Sequence, residues 1–279
     1  MPVTVFGHLV TQPVFGRRPR IDRPESRPLI PDRFLLNAST RRRVCDLAID
    51  VAHPEVEIAT MKIPFESVID LLHGAGVATL ATHSAQMAGY PYATALPCVV
   101  DEAHCPLFCI SALAEHTKNL LADGRASLSV VRAEVGNVLT AERMTLVGDA
   151  ERVDAHPELV ARYLRYEPEA EQYLQLDFMF FRFTPRRVRY IGGLGRMGWL
   201  DADAWAALPV LPLREEAELL HRFAARAPAG VRLSGIDFFG VDYVVEGTRS
   251  RHAFPVAAER ENLAAAVDAA LAALGSSES

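Results

Sequence analysis

Residues 76–131 read GVATLATHSAQMAGYPYATALPCVVDEAHCPLFCISALAEHTKNLLADGRASLSVV, and this stretch decides the fold. The runs Val77–His83, Tyr92–Val99 and Leu107–Ser111 predict three short strands. The Ser84–Gly89 loop holds the turn former Gly89, and Asp101 to Cys105 turns the chain again. A helix over Leu113–Ala122 and a fourth strand over Ala126–Val131 follow. A strand ending in Ser111 and entering a helix with His116, Thr117, Lys118 and Asn119 suits a phosphate. Backbone N–H groups at a helix start are unpaired, and the helix dipole favours negative charge there.

Upstream, Phe65, Val68, Leu71 and Leu72 fall at helical spacing, with Pro64 in the first turn and Gly74 closing the helix. Downstream, Met144–Val153 reads as a strand. Leu159–Tyr166 and Glu169–Leu176 read as short helices bridged by Pro168, and Phe178–Phe183, Arg187–Ile191 and Gly195–Leu200 as further strands. Short antiparallel strands with few helices predict a mainly β barrel over 61–207, not a doubly wound sheet. Pro209 and Pro212 mark a linker at 208–212. A small α+β domain follows at 213–275: helix Arg214–Ala225, strands Val231–Phe238, Val241–Glu246 and Ser250–Pro255, with Gly240 and Gly247 at the turns. Its last helix has Leu263, Val267, Ala270, Leu271 and Leu274 on one face.

Residues 1–60 differ from the rest: nine arginines lie between Arg17 and Arg43, among few acids, and prolines interrupt any period. Such a segment buries too little apolar surface to offset its ordering entropy. It is read as a disordered or mis-called extension, with the functional start near Met61; an organelle transit peptide is the alternative.

The 279 residues suffice for one large or two modest domains, half of them are hydrophobic, and the net charge of −6 gives no reason to expect nucleic acid. No apolar run approaches the ~20 residues of a membrane span, and no secretory signal layout is present, so the expected address is the cytoplasm. Cys45, Cys98, Cys105 and Cys109 read as free thiols in a reducing compartment. Cys105 and Cys109, roughly 13 Å apart along a strand, cannot share a metal.

The segments Ala78-Thr79-Leu80-Ala81-Thr82, Gly89-Tyr90-Pro91-Tyr92, Ser111…Leu113-Ala114-Glu115-His116-Thr117-Lys118-Asn119-Leu120 and Arg125-Ala126-Ser127-Leu128, with Tyr190-Ile191-Gly192-Gly193-Leu194-Gly195-Arg196 and Trp199, carry a likeness. They resemble the pyridoxamine 5'-phosphate oxidase-like, FMN-binding split barrels, most closely the haem-utilisation (HugZ-type) branch. The resemblance implies an FMN-binding split β-barrel followed by a small α+β C-terminal domain, a homodimer, and FMN held without a covalent bond. By the same resemblance Ser111, His116, Thr117, Lys118 and Asn119 hold the phosphate; Arg196 reads as a contact to cofactor phosphate or a haem propionate, or as the partner of a surface acid. Thr79 to Thr82 and Tyr92, Ala93 and Thr94 line the ring. The implied activity is an FMN-dependent oxidoreductase acting on a small molecule, the flavin supplying the redox chemistry. One alternative is a haem-binding or haem-degrading protein with His252 or His221 as the iron ligand; another is a non-catalytic flavin-binding module. Leu194 departs from the aromatic expected in the glycine motif. Arg251-His252 echoes the substrate-holding pair of true pyridoxamine phosphate oxidases, but in an unrelated setting, so that activity is not expected.

Other readings compete. Lys118 and His116 also suit solvated positions on a helix whose buried face is Leu113, Leu120 and Leu121. Gly192-Gly193-Leu194-Gly195 lacks the strand–helix unit of a dinucleotide site and reads as a bend. No nucleophile–His–acid set and no Cys-x-x-Cys-His motif is present. Asp237 and Asp242, flanking Phe238-Phe239-Gly240, read as hairpin punctuation.

Overall fold

The computed structural model describes residues 63–132, 137, 140–193 and 196–276. The expectations for residues 1–60, Cys45, Leu194 and Gly195 lie outside the described residues.

Helix α1 (Phe65–Gly74) buries Val68, Ile69, Leu71 and Leu72 beneath the main sheet. That sheet is built from β1 (Val77–His83), β2 (Pro91–Pro97), β3 (Val99–Val100), β4 (Pro106–Ser111), β5 (Arg125–Val131), β6 (Arg143–Val153), β7 (Phe178–Ile191) and β8 (Met197–Asp201). The strand order is β2-β1-β5-β6-β7-β4-β3, with β8 also on β7, and every pairing is antiparallel. The sheet curls with β2 and β3 at its two ends: a split barrel. Helix α2 (Glu115–Ala122) crosses between β4 and β5, and α3 (Pro157–Tyr166) with a 3-10 turn (Pro168–Tyr173) leads into β7.

The sequence breaks β7 in two around Pro185, yet the strand is continuous. Pro185 lies opposite Gly148, where the β6–β7 register shifts. At such an irregularity a proline's missing N–H removes no ladder bond. Gly148 is required there, because a Cβ on it would stand 2.1 Å from the Thr184 carbonyl oxygen. β7 therefore pairs with β6 along its length, with β4 over its first half and with β8 over its second.

Beyond a short helix α4 (Ala202–Ala206) that the sequence does not announce, Leu208 and Leu211 are buried within the proline-marked segment. Helix α5 (Leu213–Ala224), the meander β9 (Val231–Asp237), β10 (Gly240–Val245) and β11 (Thr248–Ala253), and α6 (Leu263–Ser276) complete the chain. Glu246 and Gly247, at φ 50° and 77°, make the left-handed two-residue turn that joins β10 to β11. Ile236, Val241, Phe254 and Val267 belong to the same buried cluster as Leu80, Leu128 and Phe183, so one apolar core runs from the barrel to the C-terminal sheet. Arg162 and Arg165 of α3 both pair with the buried Glu216 of α5, which also accepts from the Ile236 N–H of β9. No described helix is long and apolar enough to cross a membrane.

Candidate functional site

The turn into α2 is a local device. The Ser111 hydroxyl accepts from the Leu113 N–H at 3.2 Å, and the Ser111 carbonyl accepts from the Ala114 N–H at 3.1 Å and from Thr117 Oγ1 at 2.6 Å. The helix therefore begins at Glu115, two residues later than its apolar pattern suggests, and has no side-chain cap. Its buried face also differs from expectation. Thr117, Asn119 and Leu120 face inward, whereas Leu113 and Leu121 are 74% and 55% exposed. Asn119 Nδ2 donates to Thr82 Oγ1 at 3.0 Å, Asn119 Oδ1 accepts from the Ala85 N–H at 2.8 Å, and Thr82 reaches the Tyr92 carbonyl at 3.4 Å. Thr117 and Asn119 thus fasten α2 to the barrel.

Lys118 is exposed, and His116 is half-buried, with burial lowering its pKa so that the ring is neutral at pH 7. Among the described residues, Lys118 is the cation at this end that forms no ion pair. Glu115, in the first turn, accepts from Gln86 Nε2 at 2.7 Å, placing a carboxylate near the same helix start.

Side chains alternate along a strand and directly paired residues share a face, so the registers sort the predicted ring contacts onto two sides. Thr82, Tyr92 and Thr94 lie on the α2 side, where Thr82 pairs with Tyr92 and Leu80 with Thr94. Thr79 and Ala93 lie on the outer face, continuous with Ala81, Ala95, Ser127 and Ser129. This face runs on through Thr145 and Val147 to Arg187, Arg189 and Trp199, with the Arg187 and Arg189 guanidinium groups 4.3 Å and 5.2 Å from the Trp199 ring centre. It presents a flat patch of small side chains. At one end lies a depression of about 470 Å³ lined by Ala81, Thr82, His83, Arg125, Ser127 and Arg186. Arg125 and Arg186 are paired there with Asp123 and Asp149, at 2.6 Å and 2.7 Å.

Sequence reading gave no role to His83 or Arg186 and quoted Arg125 only within the Arg125–Leu128 segment that carries the likeness. Their signal was the period-two alternation that puts His83 on the side of Ala81 and Thr79, readable only once the register was known. Arg196 is not brought to the others: it sits in the β7–β8 connection, across β5 and β6 from β1, donating to the Gly192 carbonyl at 2.9 Å. His221 is exposed in the last turn of α5 and His252 is half-buried on β11. Neither lines the outer-face depression. The Arg251 side chain is 2% exposed and tied to Asp237 and Asp242, so it is not available to hold a substrate. Cys98, Cys105 and Cys109 are free thiols, and burial pushes them up to about 12, 12 and 11.

A curled antiparallel barrel with an open small-residue face defines the class. Residues 66–192 match the family model of pyridoxamine 5'-phosphate oxidase. Over this barrel the chain is similar to the pyridoxamine 5'-phosphate oxidase-like split-barrel proteins. Over 168 residues it is 32% identical to the non-canonical heme oxygenase HOZ, chloroplastic, of Arabidopsis thaliana, covering 58% of this chain and 52% of that protein. The chain thus spans about half the length of this curated relative. A protein of unknown function from Agrobacterium tumefaciens shares its fold at a TM-score of 0.57, with 28% identity over 75% of this chain and 95% of the other. A heme binding protein from Mycobacterium smegmatis is 28% identical over 76% of this chain and 97% of its own, at a TM-score of 0.48.

Proposed function

We propose that this protein binds haem on the outer face of its split barrel and takes part in haem degradation. The observation that carries this reading is the 32% identity to a non-canonical heme oxygenase over 168 residues. The surface chemistry is compatible. A porphyrin needs a flat apolar seat and cations for its two propionates, and the face offers Ala81, Ala93 and Ala95 between arginines at both ends. Arg187 and Arg189, stacked on Trp199, would hold one carboxylate, and Arg125 and Arg186 the other on exchanging Asp123 and Asp149 for it, and His83 offers a ring nitrogen beside the patch. When bound, haem supplies the iron that reacts with oxygen; the protein supplies the seat, the charge and the exclusion of water.

The reading includes a homodimer. Val77, Val131, Val147, Met197 and Trp199 are 44–62% exposed on or at the rim of this face, a patch that a second copy would cover.

A second reading is an FMN-dependent oxidoreductase. It is favoured by the uncapped start of α2 beside the unpaired Lys118, chemistry suited to a phosphate.

Absorption spectra of the full chain, alone and after adding haem or FMN, separate the two. A saturable Soret band that weakens in Arg187→Ala and Arg189→Ala supports the haem site. Stoichiometric flavin bands without haem uptake overturn it in favour of FMN. Loss of Lys118, worth ~1.5–3 kcal/mol as one charge-assisted hydrogen bond, would then weaken FMN about ten- to a hundred-fold.

A further inference from the structure

Away from the outer face, the last turn of α1, the β3–β4 turn and the C-terminal sheet meet in a buried chain of polar groups. Arg251 of β11 donates to Asp242 Oδ1 at 2.7 Å and to Asp237 Oδ1 at 2.8 Å. The other carboxylate oxygens face the ring of His73: Nδ1 lies 3.1 Å from Asp242 Oδ2 and 3.3 Å from Asp237 Oδ2. Tyr166 of α3 also donates to Asp242 Oδ2, at 2.7 Å. His73 Nε2 then stands 3.0 Å from Nδ1 of His104, whose Nε2 lies 3.3 Å from the Pro209 carbonyl. His73, His104 and Asp242 are each 1% exposed and Asp237 6%. The reading of Asp237 and Asp242 as hairpin punctuation is therefore incomplete. Asp237 does accept from the Phe239 and Gly240 N–H groups, but both carboxylates are the floor of this chain.

Counting protons along the chain gives an uneven result. The Pro209 carbonyl only accepts, so His104 Nε2 must carry a hydrogen. The contact between the two rings needs one hydrogen, and so does the contact between His73 and the carboxylates. Three consecutive bonds need three hydrogens, and two neutral imidazoles bring two. With two ionised carboxylates, Arg251 and neutral rings, the group carries −1 and sets two nitrogen lone pairs face to face at 3.0 Å. One more proton brings the charge to zero and completes every bond.

We propose that the His73–His104 pair and its two aspartates hold one excess proton, and that this proton fastens the C-terminal sheet to the barrel. The residues it joins come from α1, the β3–β4 turn, β9 and β10, with the Pro209 carbonyl of the connecting segment at its end.

Dry surroundings oppose a charged ring: burial, helped by Arg251, lowers both His73 and His104, and His104 lies at about 3 even with Asp237 nearby. Asp237 pushes both rings the other way and Asp242 pushes His73, and the two carboxylates face no solvent that could stabilise the uncompensated charge left if the proton departs. Other charges nearby among the described residues include Asp70 of α1, 3.9 Å from Arg251 Nε, Arg249 of β11, which donates to the His73 and Cys98 carbonyls and lies over Tyr166, and Arg162 of α3, which lies over the same ring and interacts with Asp242. His73, His104 and Asp237 also offer three donor atoms within 4.8 Å of one another. A dication in place of the proton would leave the group at +1, so the charge balance favours the proton.

Long-range ¹H–¹⁵N NMR of the full chain counts the ring hydrogens directly. Three on the two rings, or two beside a protonated aspartate, is the expected result; two on the rings with both aspartates ionised overturns the proposal. Amide exchange in β9–β11 supplies the second measurement. A proton held more tightly in the closed state stabilises the seam fully below the free histidine pKa of ~6.5 and is lost as pH rises through the closed-state value. Protection of β9–β11 amides relative to the barrel should therefore fall about tenfold per pH unit across that window. His104→Asn, a residue tolerant of the left-handed backbone here (φ 58°), should abolish this slope. An unchanged slope overturns the proposal, as does protection that rises with pH in the native chain.

Discussion

Asn119 donates to Thr82 Oγ1 at 3.0 Å and accepts from the Ala85 N–H at 2.8 Å, so one amide ties α2 to the end of β1 and to the loop beyond it. Asn119→Ala leaves a buried hydroxyl and a backbone donor short of partners, each costing ~1–3 kcal/mol. The expected loss is about 2–3 kcal/mol, measured by urea denaturation. A loss below about 0.5 kcal/mol would show that α2 is held by Leu120 alone.

Glu216 carries two guanidinium groups, those of Arg162 and Arg165. Removing the shared carboxylate strands Arg162, whose side chain is 3% exposed, in the interior. Glu216→Ala is expected to destabilise by ~3–5 kcal/mol and Glu216→Gln by less. Equal losses for the two would mean that packing, not charge, is what the residue supplies.

Gly148 and Gly74 make a contrast. A Cβ at Gly148 would meet the Thr184 carbonyl oxygen at 2.1 Å and Phe183 at 3.0 Å, whereas at Gly74 nothing lies within 4 Å. Gly148→Ala should cost about 3 kcal/mol, mostly by forcing the β6–β7 bulge apart, and Gly74→Ala within ~0.5 kcal/mol of zero. Thermal melts of the two variants test the difference, and similar melting points would refute it.

Asp101 is fully buried, and burial raises its pKa to about 6 despite Arg182 at 2.6 Å. The folded state thus holds this proton more tightly than the unfolded chain, where an aspartate titrates near 3.9. Stability from this residue is present below that value and declines as pH rises toward 6, by about 3 kcal/mol in all. Asp101→Asn keeps the oxygen that accepts from the Ala103 and Cys105 N–H groups. Denaturation curves from pH 4 to 7 should therefore show a shallower decline in this variant than in the native chain.

Much of the barrel was legible because its strands alternate cleanly: β1 falls where the sequence places it, and β5 and β6 begin one residue earlier. The continuity of β7 was not legible, because Pro185 signals a break unless Gly148 is known to lie opposite. The inward face of α2 was misread for a related reason. Thr117 and Asn119 look solvated by composition but find buried partners in Ser111 and Thr82, which are distant in sequence or hidden in a turn. The buried chain was invisible for a stronger reason. His73 and Asp242 are 169 positions apart, and no local period announces a contact that only the packing of α1 against the C-terminal sheet creates.

β7 also has a mechanical meaning. The half of the sheet carrying β3 and β4 and the half carrying β8 hang on this single fourteen-residue spine, with β6 as its continuous partner. Slippage by one position beyond the Gly148 irregularity would turn Val188 and Tyr190 out to water and drive Arg187 and Arg189 into the core. The irregularity thus works as an indexing notch, setting which arginines the outer face displays and keeping the two halves in step.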